Sequence, residues 1–217
     1  MNPSHLLSSQ RRVRSALALL ALTASVGALP VAVPAHAAAP RASLSSLALS
    51  GSDVQHAFGS GFKTYNYTTT GSAGTTSGYT FRQIGLAAWY ERAFIKNIAS
   101  LVNGTAASGT YSVGSVIYRF KSTSYADAAV RYALKHKIWS QKGYKYQVTR
   151  TGGVGSIAVT ITSTETFNAY KIHVLGIGFE RGAYVAAVFV FGFGATASVS
   201  TTTSLARLVD ARIKAHG

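Results

Sequence analysis

The sequence predicts an α+β domain, a mostly antiparallel sheet with helices packed on it, in the manner of an α/β sandwich. Three observations carry that expectation. Helix-like and strand-like periodicities follow one another as short helix, strand, helix, strand, helix, four strands, helix. The four late strands are joined by short connections, which only antiparallel neighbours allow. Two long apolar runs, Tyr170 to Phe179 and Ala183 to Phe193, flank Glu180-Arg181-Gly182, the signal of a β-hairpin with Gly182 left-handed after a type I turn.

The hairpin is apolar on both faces, so it is expected at the centre of the sheet and covered on both sides. With Phe179 opposite Ala183, Ile172 faces Val190, Val174 faces Val188 and Gly176 faces Ala186. On the other face Leu175 meets Ala187, Ile177 meets Val185 and His173 meets Phe189. A two-residue turn at Arg181-Gly182 would shift the register by one and exchange these partners. Both readings stay open from the sequence.

Residues 1–37 read as a secretory signal peptide. Arg11, Arg12 and Arg14 form its positive region, Ala16 to Leu29 its apolar core, and Ala35-His36-Ala37 a small-residue cleavage site. The general export route is favoured over the twin-arginine one, because Arg14 and Ser15 follow Val13. Residues 38–47, rich in Ala and Ser, read as a flexible linker, and 48–217 as a single domain. The signal core is too short to span a bilayer comfortably, and no second apolar stretch is long enough to cross a membrane.

Within the domain, Ser52-Asp53-Val54-Gln55 has capping-box spacing, with Gly59 and Gly61 ending the short helix. Phe62 to Thr68 reads as a strand and Thr69 to Gly78 as a Gly/Ser/Thr loop. Phe81 to Leu101 has a helical pattern, with Ile84, Ala87, Ala88, Glu91, Ile95 and Ile98 recurring at three and four. Tyr111 to Phe120 alternates as a strand, with Val113, Ile117 and Arg119 on one face. Ser124 opens a helix with Asp127 near its N-terminus and the stripe Ala126, Val130, Ala133, Leu134 and Ile138. Tyr144 to Thr151 and Ser156 to Ser163 read as strands joined by a glycine-rich turn, and the last helix buries Leu205, Leu208, Val209 and Ile213.

These segments resemble a group of secreted bacterial proteins with a Mog1/PsbP-like α/β sandwich, and the extracellular sensor domain of a mycobacterial serine/threonine kinase. The resemblance rests on Ser52-Asp53-Val54 leading to Gly59-Ser60-Gly61-Phe62, on Tyr90-Glu91-Arg92-Ala93-Phe94, on the passage Ile117 to Ala129, on Val154-Gly155 and on the hairpin. The kinase sensor domain has disulfides, and this chain has no cysteine. The resemblance implies a binding or accessory domain rather than an enzyme, and supplies no site residues.

Enzymatic chemistry has little to draw on. The six acidic residues are Asp53, Glu91, Asp127, Glu165, Glu180 and Asp210, and no spacing proposes a carboxylate pair of the kind glycoside hydrolysis needs. His56, His136, His173 and His216 lie in separate elements without ligand spacing, so no metal and no cofactor is expected. No Gly-x-Ser-x-Gly elbow occurs, and the glycines of Gly152-Gly153-Val154-Gly155 precede a strand and lack the Lys-Ser/Thr ending of a phosphate loop. A hydrolase is the weakest reading, and no catalytic residue is assigned.

Charge is the more informative feature. The chain holds 21 Lys and Arg against 6 Asp and Glu. Cleavage after Ala37 removes three arginines and leaves 18 against 6, a net +12. That excess favours an anionic polymer or an anionic membrane surface, with nucleic acid as a non-specific partner. The basic stretch Arg131, Lys135, Lys137, Lys142, Lys145 and Arg150, interleaved with Trp139 and Tyr144, is the candidate polyanion-binding surface. Lys171 and His173, placed on one face with Phe189 and Phe191 by the register above, are the candidate wall of a pocket for a small apolar ligand. The reading is an exported, non-catalytic binding or accessory protein, secreted, with that pocket as its alternative.

Overall fold

The computed structural model describes residues 42–65, 85–96, 109–136, 145–167, 170–194 and 198–217. The signal segment and the Gly/Ser/Thr loop lie outside them. The elements are α1 (Leu44–Leu47), α2 (Gly51–Phe58), β1 (Lys63–Tyr65), β2 (Leu86–Ile95), β3 (Gly109–Phe120), α3 (Thr123–His136), β4 (Lys145–Arg150), β5 (Ile157–Phe167), β6 (Tyr170–Arg181), β7 (Tyr184–Phe193) and α4 (Val199–His216). The strands form one seven-stranded sheet in the order β1-β2-β3-β7-β6-β5-β4, antiparallel at every pairing. The α+β sandwich expected from the sequence is the observed fold, with the β6–β7 hairpin at its centre.

Helices cover both faces. On one, Val113, Ile117, Ile177, Phe179, Val188 and Val190 pack under Leu205, Ala206, Val209 and Ile213 of α4, with Leu47, Leu49 and Val54 closing the β2 side. On the other, Val116, Tyr118, Phe120 and Ala187 lie under Ala126 and Ala129 of α3, and Ala133 covers Val159 and Ile161. Farther along that second face Ala93, Val174, Phe189 and Phe191 form a cluster. Phe189 lies so close to β3 that a Cβ on Gly114 would sit 2.4 Å from its ring, which is why that strand position has no side chain.

Several expectations change. Leu86–Ile95 is a strand, not part of a helix, pairing with β3 from Leu86↔Phe120 to Ile95↔Ser112. Tyr90 and Phe94 point to one core, and Trp89 and Ala93 to the other side. Burial on both faces thus produced an apolar spacing that imitates a helical stripe, and pairing overrode the helix propensity of Ala, Glu and Arg. The N-cap of α2 is Ser50, not Ser52: its side chain accepts from the Asp53 N–H while the Asp53 carboxylate accepts from the Ser50 N–H. Leu208 is 43% exposed rather than core. Part of the expected linker is packed, since α1 places Leu47 in the core and the Ala42 N–H donates to the His216 carbonyl.

The hairpin register also differs. Gly182 keeps its left-handed conformation, φ 58°, but Arg181 pairs with Tyr184, so Gly182-Ala183 is a two-residue turn. Ile172 therefore pairs with Phe193, Val174 with Phe191 and Gly176 with Phe189. An odd shift moves every side chain of one strand to the other face relative to its neighbour.

Two carboxylates fasten the helices of the α4 face. Asp210 of α4 accepts from Arg181 Nε and Nη2 at 2.7 and 2.8 Å and from the Gly155 N–H at 3.0 Å. Asp53 of α2 accepts from both terminal nitrogens of Arg212 at 2.8 Å, and Arg212 also donates to the Ala48 carbonyl at 2.9 Å. Burial pushes both carboxyls up, but these arginine and backbone donors outweigh it, leaving each below its ordinary pKa of 3.8.

Candidate binding surface

The observed register separates the residues proposed for an apolar pocket. Phe189 and Phe191 lie on the α3 side of the sheet, stacked edge to face at 5.6 Å between ring centres. His173 pairs with Gly192 and Thr164, and shares the α4 side with Leu175 and Ile177. Lys171, two residues away on the same strand, lies on that side too. The four therefore form no common wall. The crevice beside the hairpin under α3, lined by Tyr118, Leu134, Val159 and Ala187, has a volume of about 20 Å³, room for one water and no ligand.

The basic stretch is only partly described. Lys137, Trp139, Lys142 and Tyr144 lie outside the described residues. Lys135 is exposed on α3. Arg150 is exposed on the edge strand β4 and pairs with Val159, on the sheet face that α3 covers. Lys145 begins β4 opposite Thr164. Arg131 is engaged locally, its Nε 2.7 Å from Asp127 one turn back on α3. Lys135 and Arg150 thus share one side of the sheet, whereas Arg131 has its charge offset.

A second surface lies on the opposite side and was missed from the sequence. Because α4 rests on β6 and β7, with Ala158 and Thr160 of β5 buried beside it, β4 and the Thr162–Thr164 part of β5 are open on that face. There Thr149 pairs with Thr160, and Gln147 with Thr162. Thr162 pairs with Leu175 and Thr164 with His173, whose Nδ1 is 3.2 Å from the Thr164 hydroxyl. Gln147, Thr149, Thr164 and Lys171 are exposed and Thr162 and His173 half-buried. Arg207 of α4 reaches the β4–β5 turn, where a Cβ on Gly153 would lie 3.2 Å from its guanidinium. The available signal was the run Thr160-x-Thr162-x-Thr164-x-Thr166, whose period of two places hydroxyls along one face of a strand.

A third feature is a cleft of about 660 Å³ between α2 and α4, lined by Ser52, Asp53, His56, Ser200, Thr201 and Ser204 among others. It brings serine, histidine and a carboxylate into one place without making a catalytic relay. The Asp53 carboxylate is taken by Arg212 and the Ser50 N–H, so it orients no imidazole, and the Ser52 hydroxyl pairs with that of Ser50 at 2.8 Å. Among the described residues no group of three or more His, Asp and Glu comes together. No helix among them is long and apolar enough to cross a membrane.

No family model and no curated protein sequence matches the chain. Among solved structures, the fold is similar to the extracellular domain of PknH from Mycobacterium tuberculosis, at a TM-score of 0.54 and 16% identity, covering 81% of this chain and 98% of that one. At that identity the likeness establishes a shared α/β sandwich, in line with the mycobacterial resemblance drawn from the sequence, and nothing about ligand or activity.

Proposed function

We propose that this is an exported, non-catalytic binding domain that holds anionic cell-envelope polymers or lipid headgroups through its basic surface. One observation carries the reading. All three aspartates of the chain are engaged by arginines: Asp53 by Arg212, Asp127 by Arg131 and Asp210 by Arg181. Among the described residues no lysine takes part in a salt bridge, so little carboxylate remains to offset the lysine charge. Uncompensated surface charge of one sign attracts a polyanion from a distance and releases its counterions on contact. Lys135 and Arg150 on one side of the sheet, with Lys137 and Lys142 near them in sequence, are the residues assigned to this contact, while the register places Lys145 on the other face.

Export rests on the signal-like N-terminus, and the extracellular provenance of the structural neighbour is in keeping with it. The test is binding of the chain to a polyphosphate, to anionic vesicles and to duplex DNA across a salt series. Affinity that falls steeply with salt, and weakens further when Lys135, Lys137 and Lys142 become alanine, is the expected result. Absence of binding even at low salt would make the positive charge a solubility feature.

A further inference from the structure

We propose that the open half of the α4 face is a groove for an extended polyol-phosphate polymer, laid along β5 with α4 as its wall. The inference rests on the polyanion reading but places the contact on the side of the sheet opposite Lys135 and Arg150. Three observations converge on it.

Charge comes first. Lys171 stands at one end of the strip, opposite Thr166, and Arg207 at the other, beside the β4–β5 turn. The carboxylate bordering the strip, Asp210, is already bound to Arg181 and Gly155. Glu180 lies on the opposite face with Val185. The groove therefore presents cations with no free carboxylate among its described residues.

Length comes second. Thr160 to Thr164 alone spans about 14 Å at ~3.4 Å per residue, and Lys171 and Arg207 lie beyond its two ends. A single phosphate cannot touch both groups, whereas a chain carrying repeated phosphates can.

The chemistry between the cations comes third. It consists of hydroxyls and an amide: Thr149, Thr162, Thr164 and Gln147, in register across two strands. These donate to and accept from hydroxyls and phosphate oxygens alike. No Phe, Tyr or Trp lies among these groove residues, and the one imidazole, His173, is half-buried with its Nδ1 3.2 Å from the Thr164 hydroxyl, so bases and sugar faces find little to stack on, in contrast to single-stranded nucleic acid sites. Nor is there an exposed apolar side chain among them to enter a bilayer, as an interfacial element requires. A polyol-phosphate chain needs neither.

The experiment titrates the full chain with synthetic poly(glycerol phosphate) at several salt concentrations. Uncharged polyglycerol, single-stranded DNA and phosphatidylglycerol vesicles serve as competing probes. Two groove variants are compared with wild type: Lys171→Ala with Arg207→Ala, and Thr149→Val with Thr162→Val. Melting curves confirm that each variant is folded. The cation variant should lose roughly tenfold in affinity at low salt and show a shallower salt dependence, two phosphate contacts having gone. The threonine variant should lose a few-fold in affinity with an unchanged salt slope.

Equal binding by wild type and both groove variants would overturn the groove. If affinity then falls only when Lys135 becomes alanine, the polyanion reading stands without it. Preference for DNA or vesicles over poly(glycerol phosphate) would overturn the polyol-phosphate assignment. Failure of the wild type to bind any anionic probe would overturn both readings.

Discussion

The two halves of the α4 face are made from the same sheet and have opposite characters. Along one rung of the ladder, Thr149 pairs with Thr160, Thr160 with Ile177 and Ile177 with Val188. Thr149 is exposed, Thr160 is 6% exposed, and Ile177 and Val188 are fully buried. Polarity changes where α4 ends its coverage, not where a strand ends. Asp210 fastens α4 there, accepting from Arg181 at the end of β6 and from the Gly155 N–H in the β4–β5 turn. The apolar side chains of α4 and this carboxylate together seat the helix over β6–β7, and β4 and the Thr162–Thr164 part of β5 stay uncovered.

The covered half should respond far more strongly to substitution than the open one. Leu205→Ala, under α4 at 2% exposure, should cost about 3 kcal/mol in urea unfolding, by lost burial and the cavity left behind. Asp210→Asn should cost about 2 kcal/mol, because it weakens a charge-assisted pair and leaves Arg181 without its counter-charge. The same group predicts a pH dependence. Its folded pKa lies below the ordinary 3.8, so its contribution is complete above the unfolded value and is lost as pH falls through the folded one. Urea midpoints measured between pH 5 and pH 2 should therefore drop in wild type and drop less steeply in Asp210→Asn, where Asp53 still contributes.

Glu180, in contact with the same hairpin end, has the opposite sign. Burial, with the Asp127 charge adding to it, pushes its carboxyl above the ordinary 4.5. Stability from this group is complete in acid and declines as pH rises through the unfolded value toward the raised folded one. Glu180→Gln should accordingly melt higher than wild type at pH 7 and lose that advantage near pH 4. Smallest of all, Thr162→Val on the open half should change stability by no more than about 0.5 kcal/mol, while reducing polymer affinity as described above. A large loss of stability there would mean that the strip is structural, and the contrast between the halves would fail.

Much of this was legible from local pattern. The hairpin, the antiparallel run of late strands, and the helices at Ala126–Leu134 and Leu205–Ile213 all announce themselves through periodicity and turn residues. Leu86–Ile95 did not, because a strand buried on both faces carries apolar residues at spacings a helix also uses. The candidate pocket failed for a single reason: Ile172 pairs with Phe193 instead of Val190, which carries Phe189 and Phe191 away from Lys171 and His173. The basic stretch was visible as composition, and the i,i+4 spacing of Asp127 and Arg131 on the expected helix also carried their pairing, though it was not read from it. The threonine run was visible too, and what it lacked was any sign of which side α4 would cover.

By itself the sequence determined the fold class, the central place of the hairpin, the positive charge and the poverty of carboxylates, since these follow from short-range periodicity and from counting. Tertiary structure decided register, the sheet face that each cation shares, and the assignment of Asp53 and Asp210 to arginines. Those depend on contacts between residues far apart in the chain, such as Asp53 with Arg212 and Arg181 with Asp210. No local pattern encodes them, because a strand slipped by one residue keeps every periodicity and reverses every face.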